Sequence, residues 1–82
     1  MKHKIEFKPR ALKDCNAIDK KVLQTIFSKL EILSDNLQGD VKKLTNFMPE
    51  YRLRVGDYRI LFETERDRII IYRVQHRKDV YR

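Results

Sequence analysis

The chain contains one cysteine, Cys15, so it can form neither an internal disulfide nor a Cys-based zinc cluster. Glycine occurs twice, and there is no Gly-rich phosphate loop. No apolar run approaches the ~20 residues that a membrane-spanning helix requires. The opening Met1-Lys2-His3-Lys4 is basic, but Glu6 follows directly on Ile5, so no signal-peptide core is present and a cytoplasmic location is expected. A paired acidic metal site and a Ser/His/Asp arrangement are also missing, and His3 has no partner suggesting a metal. No cofactor is expected. Acidic residues are scarce: 12 Asp plus Glu face 19 Lys plus Arg, a net charge of +7 over 82 residues. Such an excess favours a polyanion, meaning nucleic acid, an acidic protein or an anionic membrane surface.

What is present suffices for one small core, with 41% hydrophobic and 38% charged residues in a single domain, 1–82. The basic residues are unevenly placed. Residues 1–49 hold nine of the ten lysines and only Arg10, whereas residues 50–82 hold eight arginines and only Lys78. Arginine binds phosphate through a planar two-point fork that lysine lacks. The plainer explanation is that strands tolerate arginine.

Residues His3 to Lys8 alternate, with Ile5 and Phe7 on one side, and predict a strand. Pro9 suits the first turn of a helix carrying Ala11, Leu12, Cys15 and Ile18 at helical spacing. Cys15 is therefore a core residue. Asp19 caps a second helix whose stripe is Val22, Leu23, Ile26, Phe27, Leu30 and Leu33, ended by Asn36 and Gly39. Residues 40–49 read as a connection, with Leu44, Phe47 and Met48 covering the core edge. From Tyr51 the period becomes two. A hairpin with Gly56-Asp57 in a type II′ turn is followed by a polar turn from Thr64 to Arg68. Ile69 to Val74 is then a strand apolar on both sides. The predicted fold is α+β, in the order β-α-α-β-β-β, with an antiparallel sheet and a helical hairpin on one face.

A two-residue loop at Gly56-Asp57 pairs Arg54 with Arg59 and Arg52 with Leu61. Tyr58, Ile60 and Phe62 should then lie beneath Ile26, Phe27 and Leu30, while Arg52, Arg54 and Arg59 line the open face. Like charges directly across strands destabilise, within the ~0.2–1 kcal/mol of cross-strand pair effects, so an anion site is one reading of that face. A solvated face relieved by Glu63 or Asp79 is the other. The tail Gln75 to Arg82 can fold back and bring Arg77 and Tyr81 toward these arginines, with Lys78 and Arg82 adding positive charge. Tyr81 is a proton-transfer candidate because nearby cations stabilise a phenolate; His76 is the conventional alternative. Both residues have ordinary packing explanations too. Hydrolysis or transfer run by arginines suits RNA, whose own 2′-hydroxyl is a nucleophile.

Tyr51-Arg52-Leu53-Arg54-Val55-Gly56-Asp57-Tyr58-Arg59-Ile60-Leu61-Phe62 and His76-Arg77-Lys78-Asp79-Val80-Tyr81-Arg82 resemble the RelE/ParE superfamily of bacterial and archaeal toxins. The Phe7 to Lys13 and Gly39 to Leu44 segments resemble it as well, so the likeness spans essentially the whole chain. The hairpin is shared by both branches, and the ending leans toward RelE. The resemblance implies a metal-independent, ribosome-dependent mRNA endonuclease that cuts A-site codons and is neutralised by an acidic, RelB-like antitoxin. The toxin–antitoxin complex would bind operator DNA through the antitoxin. By the same resemblance the basic strand positions fall on Arg52 and Arg54, the turn arginine on Arg59, the later arginine on Arg77 and the tyrosine on Tyr81. In some members more residues separate the last two, and some carry lysines where Arg52 and Arg54 stand. The alternatives are a ParE-like gyrase inhibitor of the same fold and a non-enzymatic nucleic-acid-binding module.

Overall fold

In the computed structural model, which describes residues 3–36, 41–43 and 51–80, the first alternating segment forms β1 (Lys4–Phe7). Ile5 and Phe7 are half-buried there, and Lys4 and Glu6 exposed. Pro9 opens α1 (Pro9–Asn16), where its missing N–H is harmless and its φ already helical. Ala11 and Cys15, one turn apart, are buried. Leu12, expected beside them, is 53% exposed, because so short a helix seats only a narrow stripe. Asp19 caps α2 (Lys20–Asn36), its carboxylate accepting from the Lys21 N–H at 3.1 Å. Ile26, Leu30 and Leu33 form the buried stripe of α2. Phe27, expected within the stripe above the sheet, is instead 47% exposed at its margin, meeting Phe7 edge-on at 6.2 Å between ring centroids.

The segment read as a connection contributes a strand, β2 (Val41–Lys43), paired antiparallel with β3 (Tyr51–Val55). Three residues are too few for periodicity to register. Gly39, Leu44, Phe47 and Met48 lie outside the described residues. After β3 come β4 (Tyr58–Glu65), β5 (Arg68–His76) and one helical turn, α3 (Arg77–Val80). The sheet order is β1-β5-β4-β3-β2, and β1 runs parallel to β5. The sheet is therefore mixed rather than wholly antiparallel, since the two helices carry the chain across it between β1 and β2. α1 packs on β5 and α2 on β1 and β3, enclosing Leu53, Ile60, Phe62, Ile69 and Ile71.

The ladder between β4 and β5 slips once. Leu61 faces Arg73 while Phe62 faces Ile71, leaving Tyr72 as the extra residue of a bulge. This phase shift sends Ile69, Ile71 and Val74 all into the core, while Ile70 is buried on the opposite face. The following turn is shorter than expected: only Arg66 and Asp67 lie outside the strands. Arg66 holds φ 57, a left-handed conformation unfavourable for a residue with a Cβ.

Beyond Ile71, β1 no longer covers β5, and Asp14 of α1 takes its place. Its carboxylate accepts from Arg73 Nε at 2.7 Å, from Arg73 Nη2 at 3.2 Å and from the Val74 N–H at 3.0 Å. Desolvation, the largest influence, pushes the Asp14 pKa up; the Arg73 and Val74 hydrogen bonds and the charges of Arg73 and Arg10 together outweigh it, leaving a net lowering from 3.8. A carboxyl depressed in the fold stabilises above its unfolded value, and that stability is lost as pH falls through the folded value. Asp14→Ala is therefore expected to lower stability at neutral pH by about 2 kcal/mol, leaving the Val74 N–H without its partner. Urea unfolding of both proteins should show the difference shrinking below about pH 3.8.

Candidate functional site

The β3–β4 hairpin has the register expected from its loop: Val55 faces Tyr58, Arg54 faces Arg59, Leu53 faces Ile60 and Arg52 faces Leu61. Gly56 has φ +58, and Asp57 is not among the positive-φ residues, the φ signs of a type II′ turn. The positive φ is why glycine stands there, since a Cβ would meet nothing within 4 Å. Leu53, Val55, Ile60 and Phe62 are buried on the helix side, and Tyr58 is half-buried. Arg52, Arg54 and Arg59 take the other side.

Carrying the pairings across neighbouring strands turns these arginines into two rows. One row is Lys42, Arg52, Leu61 and Arg73; the other is Arg54, Arg59 and Gln75. Lys42, absent from the sequence reading, joins the face because β2 pairs it with Arg52. The strand itself was the missing signal. Arg73 is committed to Asp14.

Arg59 departs from expectation. It lies on the face away from the helices yet is only 6% exposed. Its Nη1 donates to the carbonyls of Gly56 and Tyr58, both at 3.1 Å, which curls the guanidinium back around the turn. Its Nε is buried without a hydrogen-bond partner, and among the described residues it forms no carboxylate ion pair. Such a desolvated cation, held by carbonyl dipoles, is chemically suited to an anionic oxygen.

The tail docks on the same turn. The Arg77 N–H donates to the Asp57 carbonyl at 2.7 Å, and α3 packs on β5 and β4. Arg77 stays exposed, with Nη1 4.0 Å from an Asp57 carboxylate oxygen that is itself exposed, so that pair contributes little. The Gly56-Asp57 turn thus gathers Arg59, from the start of β4, and Arg77, just after the end of β5, at the open end of the β4–β5 hairpin. Lys78 is exposed beside them in sequence, and Tyr81 and Arg82 lie outside the described residues.

His76 is not part of this gathering. It faces Tyr58 in the ladder, on the helix side, and meets that ring edge-on at 5.3 Å. Its Nδ1 accepts from the Lys78 N–H at 3.3 Å. Tyr72 does lie on the arginine side and donates to Glu63 at 3.3 Å. Desolvation first, and then Glu63, raises its pKa, so its phenol stays protonated and makes a poor base. Burial, and secondarily Asp14, raises the Cys15 thiol, which is inert in the core. Among the described residues, no three His, Cys, Asp or Glu side chains converge in a way that could hold a metal.

A small mixed sheet carrying two basic rows, with a tail tied to its β3–β4 turn, defines a cationic α+β domain. Residues 5–81 match the family described as ParE toxin of type II toxin-antitoxin system, parDE. Toxin RelE3 of Methanocaldococcus jannaschii is 47% identical over 47 residues, 57% of this chain and 53% of that protein, so the match spans about half of that relative's length. The RelB-RelE antitoxin-toxin complex from Methanococcus jannaschii contains a chain 34% identical, with TM-score 0.78, over 93% of this chain and 94% of that one. The fold also matches the RelBE2 toxin-antitoxin complex from Mycobacterium tuberculosis, at TM-score 0.80 and 21% identity, over 93% and 99%. The chain belongs to the RelE/ParE superfamily of type II toxins.

Proposed function

We propose that the protein is an mRNA interferase: it enters the ribosomal A site, cuts the codon there and so stops translation. The observation that carries this reading is the turn that gathers a buried, incompletely satisfied Arg59 and an exposed Arg77 beside two basic rows. Lys42, Arg52, Arg54, Lys78 and Arg82 hold the RNA backbone. The 2′-oxygen of the codon bonds to the adjacent phosphorus as the P–O5′ bond breaks, with no metal taking part. Arg59 and Arg77 stabilise the charge gathering on the phosphoryl oxygens. Tyr81, or else His76, accepts the 2′ proton, and the departing 5′-oxygen takes up another. The products are a 2′,3′-cyclic phosphate and a 5′-hydroxyl.

The partner is an acidic, RelB-like antitoxin that covers the basic face, since +7 on so small a body calls for a complementary surface. The related toxin chain from Methanococcus jannaschii comes from a RelB-RelE complex, which supports such a partner. Operator DNA would be bound through that antitoxin. The setting is cytoplasmic, and among the described residues no helix is long and apolar enough to cross a membrane. The match to a family described as ParE toxin favours a second reading, inhibition of gyrase. Brief induction in cells separates the two. New mRNA 5′ ends within translated codons support the interferase, whereas DNA damage with intact messages supports the gyrase inhibitor.

A further inference from the structure

On the helix side of the sheet, away from the arginine rows, a cleft of about 350 Å³ opens between α1 and the ends of β4 and β5. Ile18, Val74 and Tyr58 line it, together with Arg10, Lys13 and His76. Arg10 and Lys13 are exposed and three residues apart, so they stand on one face of α1. Neither forms an ion pair among the described residues. His76 Nδ1 accepts from the Lys78 N–H, so Nε2 is the ring nitrogen left to meet a ligand. Asp14 also lines the cleft, but its carboxylate is occupied by Arg73 and the Val74 N–H. The cleft therefore combines apolar side chains, an aromatic ring, two exposed cations and an imidazole.

We propose that this cleft binds one ribonucleotide of a single-stranded RNA, its base against Tyr58 and its phosphate between Arg10 and Lys13. The volume lies at the small end of ligand pockets, which suits one nucleotide rather than a helix or a peptide. Stacking on an aromatic ring beside a cationic rim is how single strands are held without regard to sequence. Apart from His76, which also lines it, the site shares no residue with the cleavage machinery, and the sheet lies between it and Arg52, Arg54 and Arg59. It would hold a second stretch of RNA, leaving the opposite face to act on the codon.

The test is titration of the full-length protein with uridine 5′-monophosphate, followed through the ring resonances of His76 and Tyr58. The nucleotide is expected to shift both. The R10E/K13E variant should weaken that binding at least tenfold, since charge reversal on an exposed helix face removes both phosphate contacts and leaves the core intact. K29A, an exposed change on α2 outside both the cleft and the basic rows, should leave the mononucleotide affinity unchanged. The proposal is overturned if uridine binds as tightly as its monophosphate, or if inorganic phosphate binds as tightly as the nucleotide. A poly-glutamate peptide shifting the same resonances at lower concentration would also overturn it, assigning the cleft to an acidic protein. Mononucleotide binding is read without ribosomes or gyrase, so its failure is distinguishable from failure of the interferase reading.

Discussion

Replacing Arg59 and Arg77 together by alanine is expected to slow single-turnover cutting of A-site codons by about a hundred- to a thousand-fold or more. Removing one preorganised donor to a developing oxyanion has an effect of that order, and here two are lost. The single variants should differ in kind. Arg77 is exposed and its ion pair with Asp57 is weak, so Arg77→Ala should leave stability nearly unchanged. Arg59 is buried and bonds the carbonyls of Gly56 and Tyr58, so Arg59→Ala should also destabilise the hairpin by about 1 kcal/mol. Arg59→Lys keeps the charge but loses the planar fork, and should restore stability more fully than rate. A folded double variant that cut at the wild-type rate would refute the assignment of both arginines.

Tyr81→Phe is expected to preserve ribosome binding and to slow the cut severely, with His76→Gln much milder. A free tyrosine titrates near 10, so Tyr81 needs cations around its phenolate to act as a base at neutral pH. Arg77, four residues before it, and the basic rows are the available cations. His76 stands on the opposite side of the sheet, against Tyr58, with Nδ1 engaged by the chain itself. Its loss should disturb the packing at the end of β5 more than the proton transfer. Should His76→Gln abolish cutting while Tyr81→Phe leaves it near normal, the histidine is the base and must be reached by RNA from the helix side.

The hairpin was legible in detail because a two-residue loop with glycine first leaves little choice of register, and register decides the face of every side chain. Asp19 and the Ile26, Leu30, Leu33 stripe were equally readable, since caps and helical spacing are local signals. What could not be read was non-local. The parallel partner of β1, the three-residue β2 and hence the place of Lys42 depend on where the helices return the chain. The bulge at Tyr72 broke the period on which the β5 reading relied. The burial of Arg59 was unexpected for a similar reason: composition gives a charge, but only the folded turn shows it curled back and withdrawn from water. The position of His76 follows from one pairing, with Tyr58, that no sequence motif announces.

The central claim is that the arginine face positions a phosphate for attack by the substrate's own 2′-hydroxyl. It is tested most directly with purified ribosomes halted on a defined A-site codon, using messages that differ only by a 2′-deoxy sugar at the scissile nucleotide. The all-ribose message should be cut to a 2′,3′-cyclic phosphate and a 5′-hydroxyl, and the 2′-deoxy message should remain whole. Equal cutting of both messages would contradict the account, because the nucleophile would then come from water or the protein.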